Sequence, residues 1–152
     1  MIYHPREDSY LLEESVKKYA FGKVLDVGTG SGIQAIAAAQ KKNVFSVLAV
    51  DIDEKTLEEA KKNALLNKVK KITFKKSNLF NKVKGKFDTI IFNPPYLPED
   101  KNEPKEEAKA LCGGKKGYEL IVRFLSQAND FLTKDGIILI VFSSLTRKHI
   151  ID

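Results

Sequence analysis

Three groups of residues along this chain are of types and spacings that could do chemistry together. The first is Asn93-Pro94-Pro95-Tyr96, directly after the apolar run Phe87-Asp88-Thr89-Ile90-Ile91-Phe92. The run reads as a buried strand, and open α/β sheets place their ligands at the carboxyl ends of strands. Two prolines remove two backbone donors and fix φ, so the turn is stiff. Asn93 precedes a proline and is pushed towards an extended conformation. Such a turn presents one side-chain amide, backbone carbonyls and one aromatic ring. Those groups suit a planar NH₂: carbonyls accept its protons and the ring stacks on its face. Alone, the tetrapeptide reads equally well as a strand-ending turn with a packed tyrosine.

The second group is Gly28-Thr29-Gly30-Ser31-Gly32, which lets a ligand approach the backbone closely. The position that would complete G-x-G-x-x-G is Ile33, where the dinucleotide fingerprint needs a small residue, which counts against a nicotinamide or flavin enzyme. The third group is acidic. Asp51, ending the second strand, is placed to accept two ribose hydroxyls, and Asp26, just before the glycine turn, could accept from an ammonium group. Asp53 reads instead as the cap of the next helix.

These groups need a scaffold, and the periodicity supplies one. Residues 7–21 carry Leu11, Leu12, Val16, Tyr19 and Ala20 at helical spacing, with Gly22 as the stop. Residues 23–27 form a short apolar strand, 33–42 a small-residue helix, 45–50 a second strand, and 54–67 a helix rich in Ala, Leu, Glu and Lys. Residues 72–76 alternate as a third strand and 87–92 form a fourth. Residues 97–117 are charged and proline-bearing, too long for a passive connection, and read as a substrate lid loop. A helix is expected over 118–132, then a fifth strand over 137–142 opened by Gly136. Alternating strands and helices predict a mostly parallel, doubly wound α/β sheet in a single domain, 1–152, with 1–22 as an N-terminal helical segment.

Composition narrows the setting. The 152 residues are 43% hydrophobic and 30% charged, a globular profile. No apolar stretch is long enough to span a membrane and the N-terminus has no signal-like apolar core, so the expected location is the cytoplasm. A lone Cys112 and two distant histidines, His4 and His149, argue against a metal site. Net charge is +6, and residues 61–86 hold ten lysines and no acid. That stretch could meet RNA or another acidic partner, but it lacks the interleaved aromatic or arginine pattern of nucleic-acid readers and reads first as solvated surface.

Taken in order, Val24-Leu25-Asp26-Val27-Gly28-Thr29-Gly30-Ser31-Gly32 and Ala49-Val50-Asp51-Ile52-Asp53 resemble a class I S-adenosylmethionine-dependent methyltransferase with a Rossmann-like fold. With Asn93-Pro94-Pro95-Tyr96 the chain resembles those that methylate planar nitrogens: adenine-N6 and guanine-N2 nucleic-acid methyltransferases, and HemK-like enzymes acting on a glutamine amide of peptide-chain release factors. The segment from Tyr3 to Leu12 is similar to the short N-terminus of the archaeal and eukaryotic HemK-like branch. Gly113-Gly114-Lys115-Lys116-Gly117-Tyr118-Glu119 is similar to that family's double-glycine segment.

This resemblance implies S-adenosylmethionine as cofactor, held by Asp26, Gly28, Thr29, Gly30, Gly32 and Asp51, with Ser9 beside it. Asn78 and Leu79 fall where the family holds the adenine ring, although the family usually has an acid at the position of Asn78. Asn93 would touch both cofactor and substrate, Asn93, Pro94 and Tyr96 would be the catalytic residues, and Pro95 would complete the substrate turn. The implied partners are a release factor and a small zinc-binding activator subunit. Class I enzymes continue beyond the fifth strand with a helix and two more strands, so a chain ending at Asp152 is expected to lack those strands and to self-associate through the fifth-strand edge. The competing readings are a nucleic-acid amino-methyltransferase and a non-catalytic cofactor-binding subunit.

Overall fold

Each apolar run needs cover on both faces, and the chain provides it by alternating strand with helix. The computed structural model describes residues 7–94 and 115–141. Its elements are α1 (Glu7–Tyr19), β1 (Gly22–Val27), α2 (Ile33–Ala39), β2 (Val44–Asp51), α3 (Glu54–Leu66), β3 (Ile72–Lys76), β4 (Phe87–Phe92), α4 (Lys115–Ala128) and β5 (Leu132–Ile140). The strands form one parallel sheet in the order β3-β2-β1-β4-β5. The expected doubly wound, Rossmann-like sheet is therefore present. The chain runs from β1 outward to β3, then returns to the other side of β1 with β4, so the topological switch lies between β1 and β4.

Side chains alternate across the strands and divide the interior into two cores. On one face Leu12 and Val16 of α1 and four alanines of α2 pack on Val24, Val47, Ala49 and Ile91. On the other, Phe124 and Ala128 of α4 and Leu79, Phe80 and Val83 of the β3–β4 connection pack on Leu25, Val27, Val50, Ile90 and Phe92. Four phenyl rings link this second core: Phe131 stacks on Phe80 at 4.6 Å, Phe80 on Phe124 at 5.5 Å, and Phe124 on Phe92 at 4.2 Å between centroids. The α3 helix lies against β2 and β3, with Leu57, Ala60 and Ala64 buried.

Element boundaries differ from the sequence reading where backbone groups find other partners. α1 stops at Tyr19, because Phe21 exchanges hydrogen bonds with the Thr89 hydroxyl (2.9 Å each) and Gly22 already starts β1. α2 closes at Ala39, with Gln40 as its cap. The helix expected over 118–132 spans Lys115–Ala128 and tightens into a 3₁₀ turn at Asn129–Phe131. β5 begins at Leu132, five residues before the expected Ile137. Leu132 pairs with Phe87 and Ile137 with Thr89, so the intervening residues bulge out of the ladder. Gly136 closes that bulge, where a Cβ would lie 2.7 Å from Leu132 Cδ2 and 3.0 Å from the Phe87 carbonyl.

The expected lid loop lies almost wholly outside the described residues, as do Pro95, Tyr96, Cys112 and the segment before Glu7. The lysine-rich stretch falls on the end of α3, the outer strand β3 and the connection to β4, and its lysines are exposed. Lysines on an outer strand also discourage pairing with another sheet. Among the described residues, no helix is long and apolar enough to cross a membrane.

Phe124 is fully buried and touches the strand that ends at the Asn93 turn. Phe124→Ala is expected to cost about 3–5 kcal/mol in urea unfolding, the range for removing a packed phenyl ring.

Candidate active site

Strand register assembles the site. Val27 of β1 pairs with Val50 of β2 on one side and Phe92 of β4 on the other. The next residue on each strand is therefore Gly28, Asp51 and Asn93, three neighbours in a row at the carboxyl edge. With parallel strands about 4.8 Å apart, Asp51 and Asn93 stand roughly 10 Å from each other across Gly28. All three line a cavity of about 350 Å³ at the switch point. Ser9, Thr29, Asn78 and Leu79 line it too, from α1, the glycine turn and the turn after β3.

The glycine turn is tied down on all sides. The amides of Gly28 and Thr29 both donate to the Val50 carbonyl (2.9 Å), and Gly30 N–H donates to Asp51 Oδ2 (3.0 Å). Asn63 of α3 donates to the Ser31 carbonyl at 2.8 Å. Gly32 has φ +88° and its missing Cβ would sit 3.2 Å from Ala60 Cβ, so it lets α2 and α3 approach. Gly32 is buried between the two helices, whereas a Cβ on Gly30 would meet open space beside the cavity.

Asp26 also lies behind the wall, 1% exposed, under Thr29, whose hydroxyl donates to its Oδ2 at 2.6 Å. Its Oδ1 is buried with no hydrogen-bond partner among the described residues. Burial pushes the carboxyl up from 3.8 to about 7, and the nearby Asp51 carboxylate pushes the same way; the Thr29 hydroxyl and the Ala35 amide pull against them. Asp51 accepts from the backbone of Gly30 and of Asp53 (3.0 Å each), which holds its carboxylate in place. Asp53 caps α3, as its sequence position suggests: it accepts from Lys55 N–H and Thr56 hydroxyl at 3.0 Å. Those bonds hold its carboxyl below the usual carboxylate range.

At the far end, Asn78 and Leu79 form a strained turn. Leu79 is 8% exposed with φ +52°, a conformation L side chains adopt at a cost. Ser77 enforces it, donating to the Leu79 carbonyl (2.8 Å) and accepting from Lys82 N–H (3.0 Å). At the near end, the Asn93 side-chain NH₂ donates to Ser9 Oγ at 2.9 Å. Pro94 is half-buried and does not line the cavity.

Sequence reading missed Ser77, Phe92, Leu120 and Gln34, all of which line the cavity. Leu120 comes from α4, and no local pattern marks it. Gln34 did carry a signal, as the one polar side chain in Ile33–Ala39.

The methyltransferase small domain model matches residues 7–151. The chain belongs to this family. Among its relatives, a Methanocaldococcus jannaschii protein provisionally named a protein N5-glutamine methyltransferase is 42% identical over 95% of this chain and 74% of its own length. A release factor glutamine methyltransferase of Borreliella burgdorferi is 37% identical over 90% of this chain, which spans 51% of that relative's length. The solved ribosomal protein L11 methylase of Lactobacillus delbrueckii superposes with a TM-score of 0.68 at 29% identity, covering 91% of this chain and 61% of that one.

Asp26 sets a pH signature. The unfolded chain releases this proton near pH 3.8, whereas the folded chain keeps it until about 7. Between those values the folded state binds the extra proton, so this carboxyl makes stability fall as pH rises and level off above 7. Thermal melts from pH 4 to 8 should show that slope in the native chain, and Asp26→Asn should flatten it.

Proposed function

We propose that this small-domain methyltransferase moves a methyl group from S-adenosylmethionine to the side-chain amide nitrogen of a glutamine in a peptide-chain release factor. The observation that carries the reading is the seat of Asn93. Its side chain stands at the switch-point crevice, in the same wall as Gly28 and Asp51, with its NH₂ engaged by Ser9. That leaves Oδ1 as its acceptor, the group a substrate NH₂ needs. The relatives named for glutamine methylation support the acceptor.

The residues present suit the cofactor. The carboxylate of Asp51 lines the cavity and is suited to a ribose diol, and buried Asp26, under Thr29, keeps one oxygen without a partner among the described residues, an acceptor suited to an ammonium group. Leu79 and Ile52 offer apolar surface for an adenine ring, and Asn78 a neutral amide for its edge. S-adenosylmethionine, when bound, supplies an electrophilic methyl on a sulfonium.

A carboxamide nitrogen is a weak nucleophile because its lone pair is delocalised into its carbonyl. Asn93 Oδ1 and the Pro94 carbonyl would accept its two N–H bonds, fixing the nitrogen and favouring the positive charge that develops as the N–C bond forms. The nitrogen held by these acceptors would take the methyl as the donor's sulfur departs with the C–S electron pair, and would then pass one proton to solvent. No strong base is required. Tyr96 would stack on the amide and keep water away.

The test is mass spectrometry of a release factor incubated with the full chain and the donor. One added methyl on a glutamine is expected. Asn93→Ala should keep donor affinity and lose turnover by about 100-fold or more. Methylation of tRNA, rRNA or DNA in place of the protein would overturn the acceptor, and near-native turnover by Asn93→Ala would overturn the role of the turn.

A further inference from the structure

α2 is short and almost wholly apolar, with Gln34 the exception in Ile33–Ala39. That glutamine is 2% exposed. Its Nε2 donates to the backbone carbonyl of Ser9 at 2.9 Å. Ser9 itself is fully buried, and its Oγ accepts from Asn93 Nδ2 at 2.9 Å. Three elements distant in sequence thus meet on one serine: α2, the first turn of α1, and the end of β4.

As a stabiliser this arrangement is poor. Gln34 Oε1 is buried with no hydrogen-bond partner among the described residues. An orphaned buried acceptor costs about 1–3 kcal/mol, whereas the hydrogen bond made by the other end contributes about 0.5–1.5 kcal/mol. An apolar side chain of the same length would fill the space without the penalty. What such a side chain could not do is hold Ser9. Helix ends fray, and Ser9 is the third residue of α1. If the first turn of α1 moves, Ser9 Oγ moves, and the Asn93 amide loses the bond that orients it.

We infer that Gln34 is a positioning residue, which through Ser9 fixes the Asn93 amide with its oxygen available to the substrate NH₂. The inference rests on the methyl-transfer reading for its effect on turnover, but the hydrogen-bond relay itself can be measured without any activity.

The experiment compares the full ¹⁵N-labelled chain with Gln34→Met, Ser9→Ala and the double variant. The Asn93 NH₂ signals, identified by their loss in Asn93→Ala, report the relay directly. In the native chain they should exchange slowly with solvent. In Gln34→Met they should shift and exchange about tenfold faster or more, while Tm stays level or rises. On a release factor, Gln34→Met should lower kcat by about 10- to 100-fold with donor affinity kept within about threefold. The double variant should be no worse than the worse single one, as for residues acting as a unit. Gln34→Leu, which also lacks the donor, repeats the comparison should methionine pack badly. Unchanged Asn93 signals in these variants overturn the inference. So does a Tm loss large enough to account for the fall in turnover, which would make Gln34 a packing residue. A native chain that methylates nothing refutes the proposed function and leaves the signal comparison to decide the relay.

Discussion

Val27 pairs with Val50 on one side and Phe92 on the other, and this double register is the constraint on which the site depends. A parallel ladder with central strands buried on both faces cannot slip by one residue without exchanging its two cores. The alternation of Val24 and Leu25 between opposite cores fixes β1, and Ala49/Val50 and Ile91/Phe92 fix its neighbours in the same way. Once the register is set, Gly28, Asp51 and Asn93 emerge side by side. Their juxtaposition needs no contact among themselves; it follows from the packing of residues one step earlier.

Residues around the carboxyl edge of the ladder then spend stability for placement. Among the described residues, one oxygen of buried Asp26 and the side-chain carbonyl of Gln34 have no hydrogen-bond partner, and Leu79 sits at positive φ. Each is a local cost beside one cavity. Among the described residues, the buried oxygens without a partner both lie beside this cavity, and unsatisfied polar groups gathered in one place are a physical mark of a binding site. The phenyl stack from Phe131 to Phe92 and the alanine face of α2 form the stiff base against which these groups are held.

Much of this was legible in advance. The glycine turn, the acid ending the second strand and the Asn-Pro-Pro-Tyr turn are local patterns, and periodicity placed each at a strand end. β3 and β4 lie where alternation and apolarity put them. The boundaries that differed did so through partners distant in sequence. Thr89 captures Phe21 from 68 residues away and ends α1 early, and the pairing of Leu132 with Phe87 draws β5 back past a bulge. Propensity has no access to such bonds. Gly28, Thr29 and Asp51 line the cavity, whereas Asp26 is buried under Thr29 and Gly32 is packed on Ala60, a distinction that spacing alone does not carry.

The sequence by itself determined the class of chemistry, because the residue types that suit a methyl donor and a planar nitrogen occur in fixed order at strand ends. It also determined the alternation of strand and helix, because burial periodicity is a local property. Only the tertiary structure decided that Ser9, Gln34 and Asn93 share hydrogen bonds, that Ser77 bends the chain at Leu79, and that Leu120 closes the cavity from α4. Those relations depend on how separate elements pack, and hydrogen bonds spanning 25 and 84 residues leave no trace in the periodicity of either partner.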